Sequence, residues 1–285
     1  MKRGGKCGIL SCIVKSAVQA AGNEGKTTMT EKREGLFTPA GEMRRLHIYL
    51  PDSYFDSDER YPVMYFFDGH NLFYNEDATY GKSWGLKEFL DGWGKNMIIV
   101  GMECSMTNRL VEYCPYHFTK GFLGEIDGTG VATLDWLIRE LKPMIDREYR
   151  TMAFRECTGI AGSSMGGLMS LFAAIRYNLW FSKAACLSST IGPCMEDFRM
   201  DITQSPISPD TRVYLSWGTE EGGGSTLYPR KDNNDIMTTR NGQIAHWLDE
   251  KGVNTRLYCQ EGGHHCEADW EKQVPGFMNY LWLNQ

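Results

Sequence analysis

Cys157-Thr-Gly-Ile-Ala-Gly-Ser-Ser-Met-Gly-Gly-Leu-Met-Ser-Leu-Phe-Ala-Ala-Ile-Arg-Tyr177 is the stretch on which the reading of this chain turns. Its first seven residues are a short apolar run of strand character. From Met165 onward the composition and apolar spacing are those of a buried helix. Between them, Gly162-Ser163-Ser164-Met165-Gly166 reads G-x-S-x-G. A serine on a tight strand-to-helix turn sits in strained backbone geometry, with its hydroxyl pushed away from the sheet. Small residues on both sides let strand and helix approach closely. The same turn aims the Met165 amide, at the helix N-terminus, toward negative charge developing on a nearby oxygen. The bare motif is a weak signal, because Gly and Ser are common. A strand before and a helix after distinguish it from a plain Gly/Ser-rich connection.

An activated serine needs a base, and the base needs an orienting carboxylate. In α/β-hydrolases, whose serine elbow this turn resembles, the acid and then the histidine follow the serine along the chain. Of the six histidines, only His246, His264 and His265 follow Ser164. His246 falls within 233–251, which reads as an amphipathic surface helix, so it is taken as a solvated helix residue. His264 and His265 lie in Gln260-Glu-Gly-Gly-His-His-Cys-Glu-Ala-Asp-Trp270, a glycine-rich loop after the strand pattern Thr255-Arg-Leu-Tyr-Cys259. Loops at the C-terminal ends of strands are where open α/β sheets place their chemistry. For the carboxylate, the strand run Arg212-Val-Tyr-Leu-Ser-Trp217 ends in Gly218-Thr-Glu-Glu221. Glu220 and Glu221 both qualify. Adjacent residues point in different directions, so one faces the histidine and the other is a solvated charge.

Six segments together resemble the putative-esterase family of α/β-hydrolases, which includes esterase D-like enzymes, enterochelin esterases, feruloyl and acetyl-xylan esterases of carbohydrate esterase family 1, and mycolyltransferases. They are Tyr61-Pro-Val-Met-Tyr-Phe-Phe-Asp-Gly-His-Asn-Leu-Phe73, Arg109-Leu-Val-Glu-Tyr-Cys-Pro115, Glu140-Leu-Lys-Pro-Met-Ile-Asp-Arg-Glu-Tyr-Arg150, Gly162-Ser-Ser-Met-Gly-Gly167, Gly218-Thr-Glu-Glu221 and His265-Cys-Glu-Ala-Asp-Trp270. They span residues 36–285, which makes the resemblance more specific than any one motif. It implies an α/β-hydrolase fold with Ser164 as nucleophile, Glu221 as acid and His265 as base. It also implies a second oxyanion amide from the backbone of His70, beside that of Met165. The expected activity is a serine carboxylic-ester hydrolase acting through an acyl-enzyme on a small acyl, carbohydrate or phenolic ester, with no cofactor. Acyl transfer to an alcohol or sugar would use the same three residues. A non-catalytic binding protein on this fold would be expected to have lost one of them.

Composition agrees with a single catalytic domain. At 285 residues and 42% hydrophobic, the chain can bury one large core. Net charge is −6, with acids and bases mixed. No basic run interleaved with aromatics suggests nucleic acid, and no continuous apolar stretch approaches the ~18–20 residues of a membrane span. The nine cysteines are an odd count with no C-x-x-C pair, read as reduced thiols in a cytoplasm, with Cys157, Cys186 and Cys259 acting as small hydrophobes in strands. His264, His265, Cys266 and Glu267 are metal-capable types but too close in sequence to surround one ion, so no metal is expected. Residues 1–35 read as an N-terminal extension or an added edge element outside the 36–285 domain. Their basic residues and short apolar run superficially resemble a signal peptide, with Ala20-Ala21-Gly22 as a cleavage candidate. Two cysteines and Lys15 interrupt the run, so secretion is the secondary reading. The expected partner is a small-molecule ester, and a homo-oligomer is left open.

Strands are predicted at 44–50, 61–67, 96–103, 157–163, 183–188, 212–217 and 255–259, and helices at 86–93, 131–148, 165–177, 233–251 and 269–283. Their alternation predicts a mostly parallel sheet with helices on both faces. Long connections at 105–130 and 222–234 read as site-lining loops or lids. Trp217 and Trp270 adjoin the acid and histidine loops and are the expected walls of an acyl or aryl pocket.

Overall fold

The computed structural model describes residues 29–119, 124–221 and 233–283. Eight segments form one sheet: β1 (Met29–Phe37), β2 (Met43–Leu50), β3 (Val63–Phe67), β4 (Ile98–Met102), β7 (Thr158–Ser163), β8 (Lys183–Leu187), β9 (Arg212–Gly218) and β10 (Asn254–Gln260). A separate small hairpin pairs β5 (His117–Thr119) with β6 (Glu125–Asp127). The order across the large sheet is β1-β2-β4-β3-β7-β8-β9-β10. From β4 to β10 all pairs are parallel, while β2 runs antiparallel to β4 and β1 antiparallel to β2.

The inner strands are apolar throughout because both faces are covered. Alternate residues feed two cores. Val63, Tyr65, Phe67, Ile160, Cys186 and Leu215 belong to one; Met64, Phe66, Ala161, Ala185, Leu187 and Tyr214 belong to the other. The first core is closed by α3 (Gly130–Trp136), α4 (Lys142–Glu148), α5 (Met165–Arg176), α6 (Met195–Gln204) and α7 (Asn233–Asp249). The second is closed by α1 (Leu86–Gly92) and α8 (Glu267–Trp282). A four-residue helix, α2 (Arg109–Glu112), lies in the connection after β4. The mostly parallel sheet with helices on both faces is therefore present as expected. In α5 every residue from Met165 to Ile175 is buried, which explains why this helix shows little polar periodicity.

The structure places α2 and the β5/β6 hairpin inside the connection expected at 105–130, and it differs from the sequence reading at other points. β1 crosses the expected boundary at 35/36 and is an edge strand paired with β2 from Met29, in keeping with the reading of the N-terminal segment as an added edge element. Its Thr-Glu-Lys-Arg-Glu core carries charge on an exposed edge, which discourages further pairing and hides the strand from hydrophobicity. The helix predicted over 131–148 is α3 and α4 joined by a π-helical turn, Leu137–Leu141. Pro143 at the start of α4 lacks the N–H that a continuous α ladder would need there. α6 was not foreseen; it buries only Phe198 and Ile202, too few apolar positions for a periodic signal. Of the connection expected at 222–234, residues 222–232 lie outside the described residues and α7 begins at Asn233. Among the described residues, no helix is long and apolar enough to cross a membrane.

Candidate active site

Ser164 occupies the turn between β7 and α5 with φ 58° and ψ −119°. A non-glycine residue with positive φ is strained, and the surroundings must hold it there. The Ser164 N–H donates to the Leu187 carbonyl at 2.9 Å, and its own carbonyl accepts the N–H of Thr190 at 3.1 Å. An ideal Cβ on Gly162 would come within 2.6 Å of the Gly166 carbonyl carbon. Glycine on both flanks is thus a requirement of the close strand–helix approach. The Ser164 hydroxyl lies 3.4 Å from that of Thr190. Met165 opens α5, where backbone N–H groups lack helical partners and the helix dipole is positive.

Glu221 and His265 approach from the loops after β9 and β10. Glu221 is buried, 4% exposed. Its Oε2 lies 3.1 Å from Nδ1 of His265, and its Oε1 accepts the Gly218 N–H at 2.7 Å and the Ser188 hydroxyl at 2.5 Å. Glu220 is exposed, and its backbone N–H donates to the Gly263 carbonyl at 2.9 Å. Asp269 sorts the two histidines. It accepts the His264 N–H at 2.7 Å and donors from Gln260 at 3.0 Å and Lys272 at 2.6 Å. Burial works against its charge, but Lys272 and the His264 N–H outweigh this and hold the carboxyl below its usual range. The His264 ring, 61% exposed, is left beside Asp269, while the His265 ring turns toward Glu221.

His70 lies in a 3-10 turn, Gly69–Asn71, directly after β3. Asp68 precedes it in the left-handed region, φ 57°. Gly69 is pressed onto β4, where an added Cβ would meet the Gly101 carbonyl carbon at 2.3 Å. The turn is strapped by the segment 109–113. Arg109 donates to both Asp68 oxygens, at 2.8 and 2.6 Å, a bidentate pair. The Tyr113 hydroxyl accepts the Asp68 N–H at 3.3 Å, and the Arg109 guanidinium lies 5.3 Å from the Tyr113 ring centre. Glu112 accepts the Ser105 N–H at 2.7 Å and Arg44 at 2.6 Å. Burial opposes the Arg109 charge, but Asp68 more than restores it and raises its pKa. The His70 imidazole points to Thr79, 2.9 Å away, and burial lowers its pKa.

The chain matches the family model described as "Putative esterase" over residues 39–280. The protein belongs to this esterase family. It is a carboxylic-ester hydrolase with an α/β-hydrolase fold. The esterase is similar to YbbA of Bacillus subtilis (strain 168), described as uncharacterized, at 28% identity over 252 residues, covering 84% of this chain and 92% of that one. Among solved structures it resembles an IroE-like serine hydrolase from Shewanella oneidensis, with TM-score 0.71 and 20% identity over 90% of this chain and 80% of that one. It also resembles the siderophore hydrolase EstA from Aspergillus nidulans, with TM-score 0.67 and 15% identity over 90% of this chain and 95% of that one. At these identities the likeness is one of fold.

The two tryptophans expected to wall a pocket are buried in the esterase, Trp217 at 3% and Trp270 at 5% exposed. Trp217 donates its indole N–H to Asn234 at 3.1 Å. Trp270 packs on Trp84, with ring centres 5.8 Å apart, and donates to Ser188 at 2.8 Å. His246 lies on the outer face of α7 beside Glu250, 3.6 Å away. Glu267, in the first turn of α8, is buried against Asn71 at 3.4 Å, and burial raises its pKa. Among the described residues, no group of three or more His, Cys, Asp or Glu is placed to hold a metal ion. Sequence reasoning missed Asp68, Ser188 and Asp269. Asp68 and Asp269 stood inside quoted segments without a role, and Ser188 carried no signal of its own.

Proposed function

We propose that this esterase cleaves its substrate through Ser164, His265 and Glu221. The observation that carries the reading is the 3.1 Å contact between Glu221 Oε2 and His265 Nδ1, at the same C-terminal edge of the sheet as the strained Ser164. The Ser164 hydroxyl attacks the ester carbonyl, and His265 Nε2 takes its proton. The amides of Met165 and His70 hold the oxyanion of the tetrahedral intermediate, each donor contributing about 3–4 kcal/mol. Collapse breaks the bond to the alcohol, which leaves with the proton from His265. Water then adds to the acyl-enzyme by the same route, the acid is released, and Ser164 is restored. Glu221 keeps the hydrogen on Nδ1 and stabilises the imidazolium. The Asp68–Arg109 pair supports this reading by fixing the turn that carries the His70 amide.

The proposed substrate is a small acyl, carbohydrate or phenolic ester. The test is a panel of p-nitrophenyl esters of rising chain length beside acetylated sugars, feruloylated sugars and a siderophore-type ester, with and without an added alcohol. A clear preference for one arm assigns the acyl class. Acyl product on the added alcohol in place of free acid would make the protein a transferase. Failure of a fluorophosphonate probe to label Ser164 would overturn the mechanism.

A further inference from the structure

Two side chains that no step above uses are tied to both Glu221 and His265. Ser188 directly follows β8, is buried at 2% exposure and sits in the left-handed region at φ 48°. Its backbone N–H is held by the Ser216 carbonyl at 2.8 Å. Its hydroxyl lies 2.5 Å from Glu221 Oε1 and 2.8 Å from the indole nitrogen of Trp270. The Trp270 ring in turn meets the His265 ring edge-on, with centres 5.1 Å apart and planes at 81°. Four side chains from the β8, β9 and β10 ends and from α8 thus close a circuit.

The direction of that circuit follows from hydrogen-bond chemistry. An indole N–H donates and never accepts. The Ser188 oxygen must therefore be the acceptor for Trp270, and its single hydrogen goes to Glu221. The Gly218 N–H reaches the same Oε1 at 2.7 Å. Oε1 takes both of these donors, and Oε2 faces Nδ1–H of His265. With the hydrogen on Nδ1, Nε2 keeps its lone pair. We propose that Ser188 and Trp270 are positioning residues, a one-way donor relay that orients Glu221 and thereby sets the His265 tautomer. This inference rests on the Ser164–His265–Glu221 reading above.

The competing account is packing alone, with Trp270 a core tryptophan on Trp84 and Ser188 a satisfied buried hydroxyl. Ser188→Ala, Trp270→Phe and the double variant separate the two, measured for kcat, KM and Tm on a short-chain p-nitrophenyl ester beside Ser164→Ala and Glu221→Gln. The relay predicts that Ser188→Ala lowers kcat about 10–100-fold, the equivalent of losing one hydrogen bond to a charged group, with KM nearly unchanged. Trp270→Phe lowers kcat less, and adds about nothing once Ser188 is alanine, because the N–H then has no hydroxyl to polarise. Unchanged kcat in a folded Ser188→Ala variant, or losses that simply multiply in the double variant, would overturn the relay. If Trp270→Phe does not fold, Ser188→Ala decides alone, since it removes one oxygen and no packing. Full activity in Ser164→Ala and Glu221→Gln would sink the mechanism itself. Their inactivity beside an unimpaired Ser188→Ala would sink only the relay.

Discussion

Ser164 takes its turn from its immediate neighbours in sequence and is pinned there by Leu187 at the end of β8 and Thr190 beyond it, whereas His265 and Glu221 meet across 44 residues of chain. At the elbow, strand, turn and helix are consecutive, and glycines at 162 and 166 permit the one conformation that the buried α5 enforces. The acid and histidine loops have no such local scaffold. They are aligned by cross-loop bonds: the Thr219 N–H to the Gln260 carbonyl at 3.0 Å, the Glu220 N–H to the Gly263 carbonyl at 2.9 Å, and the Gly262 N–H to the Thr219 hydroxyl at 2.9 Å. The difference teaches that the proposed nucleophile sits on a turn written into one segment and only pinned from β8, while the proposed base–acid pair exists only through two parallel strand ends held in register.

Substitutions should sort by that contrast. Ser164→Ala is expected to cost about 10⁶ in kcat, with Tm preserved, because it removes the attacking atom and nothing structural. Ser163→Ala should be mild, and comparable losses from both would mean the elbow is misassigned. His265→Ala should be nearly as severe, since members of one catalytic unit are non-additive. His264→Ala should lose far less, its ring being the exposed one. A reversed ranking in the same kcat assay would place the base one residue earlier.

Glu221→Gln comes next, with a loss of up to about 10⁴ in kcat. The amide keeps the size of the side chain but offers an NH₂ to Nδ1 and favours the wrong tautomer. Glu220→Gln should stay near wild type, and equal effects would break the assignment of the acid to the buried residue. The smallest effect tests the support of the His70 turn. Arg109→Ala leaves a buried Asp68 carboxylate without its bidentate partner. It should cost about 2–3 kcal/mol by denaturant titration, and Arg109→Lys should recover only part of it. An unchanged midpoint would show that the 109–113 strap does not hold the turn.

The parts of this fold that could be read in advance were those with local patterns. Seven of the eight strands of the large sheet were read in advance, most of them from apolar runs, and α5 from an apolar helical stretch. β1 was not, because an exposed edge strand pairs on one side and carries charge where an inner strand carries valine or isoleucine. Asp68 was read only as part of a resembling segment. That it is the anchor for Arg109 depends on residues 41 positions apart in the chain. Ser188 had no signal, because a single serine after a strand acquires meaning only when Glu221 and Trp270 arrive beside it.

By itself the sequence determined the strand–turn–helix around Ser164 and the alternation that builds a parallel sheet. These follow from hydrophobic period and from the steric demands of glycine, which act over a few residues. From the residues alone, the choices between Glu220 and Glu221 and between His264 and His265 stayed open, and family resemblance favoured the second of each. Tertiary structure decided which side chain turns inward. In an irregular loop that direction is set by backbone groups captured from elsewhere, here the Glu220 N–H by Gly263 and the His264 N–H by Asp269, and such captures leave no trace in local pattern.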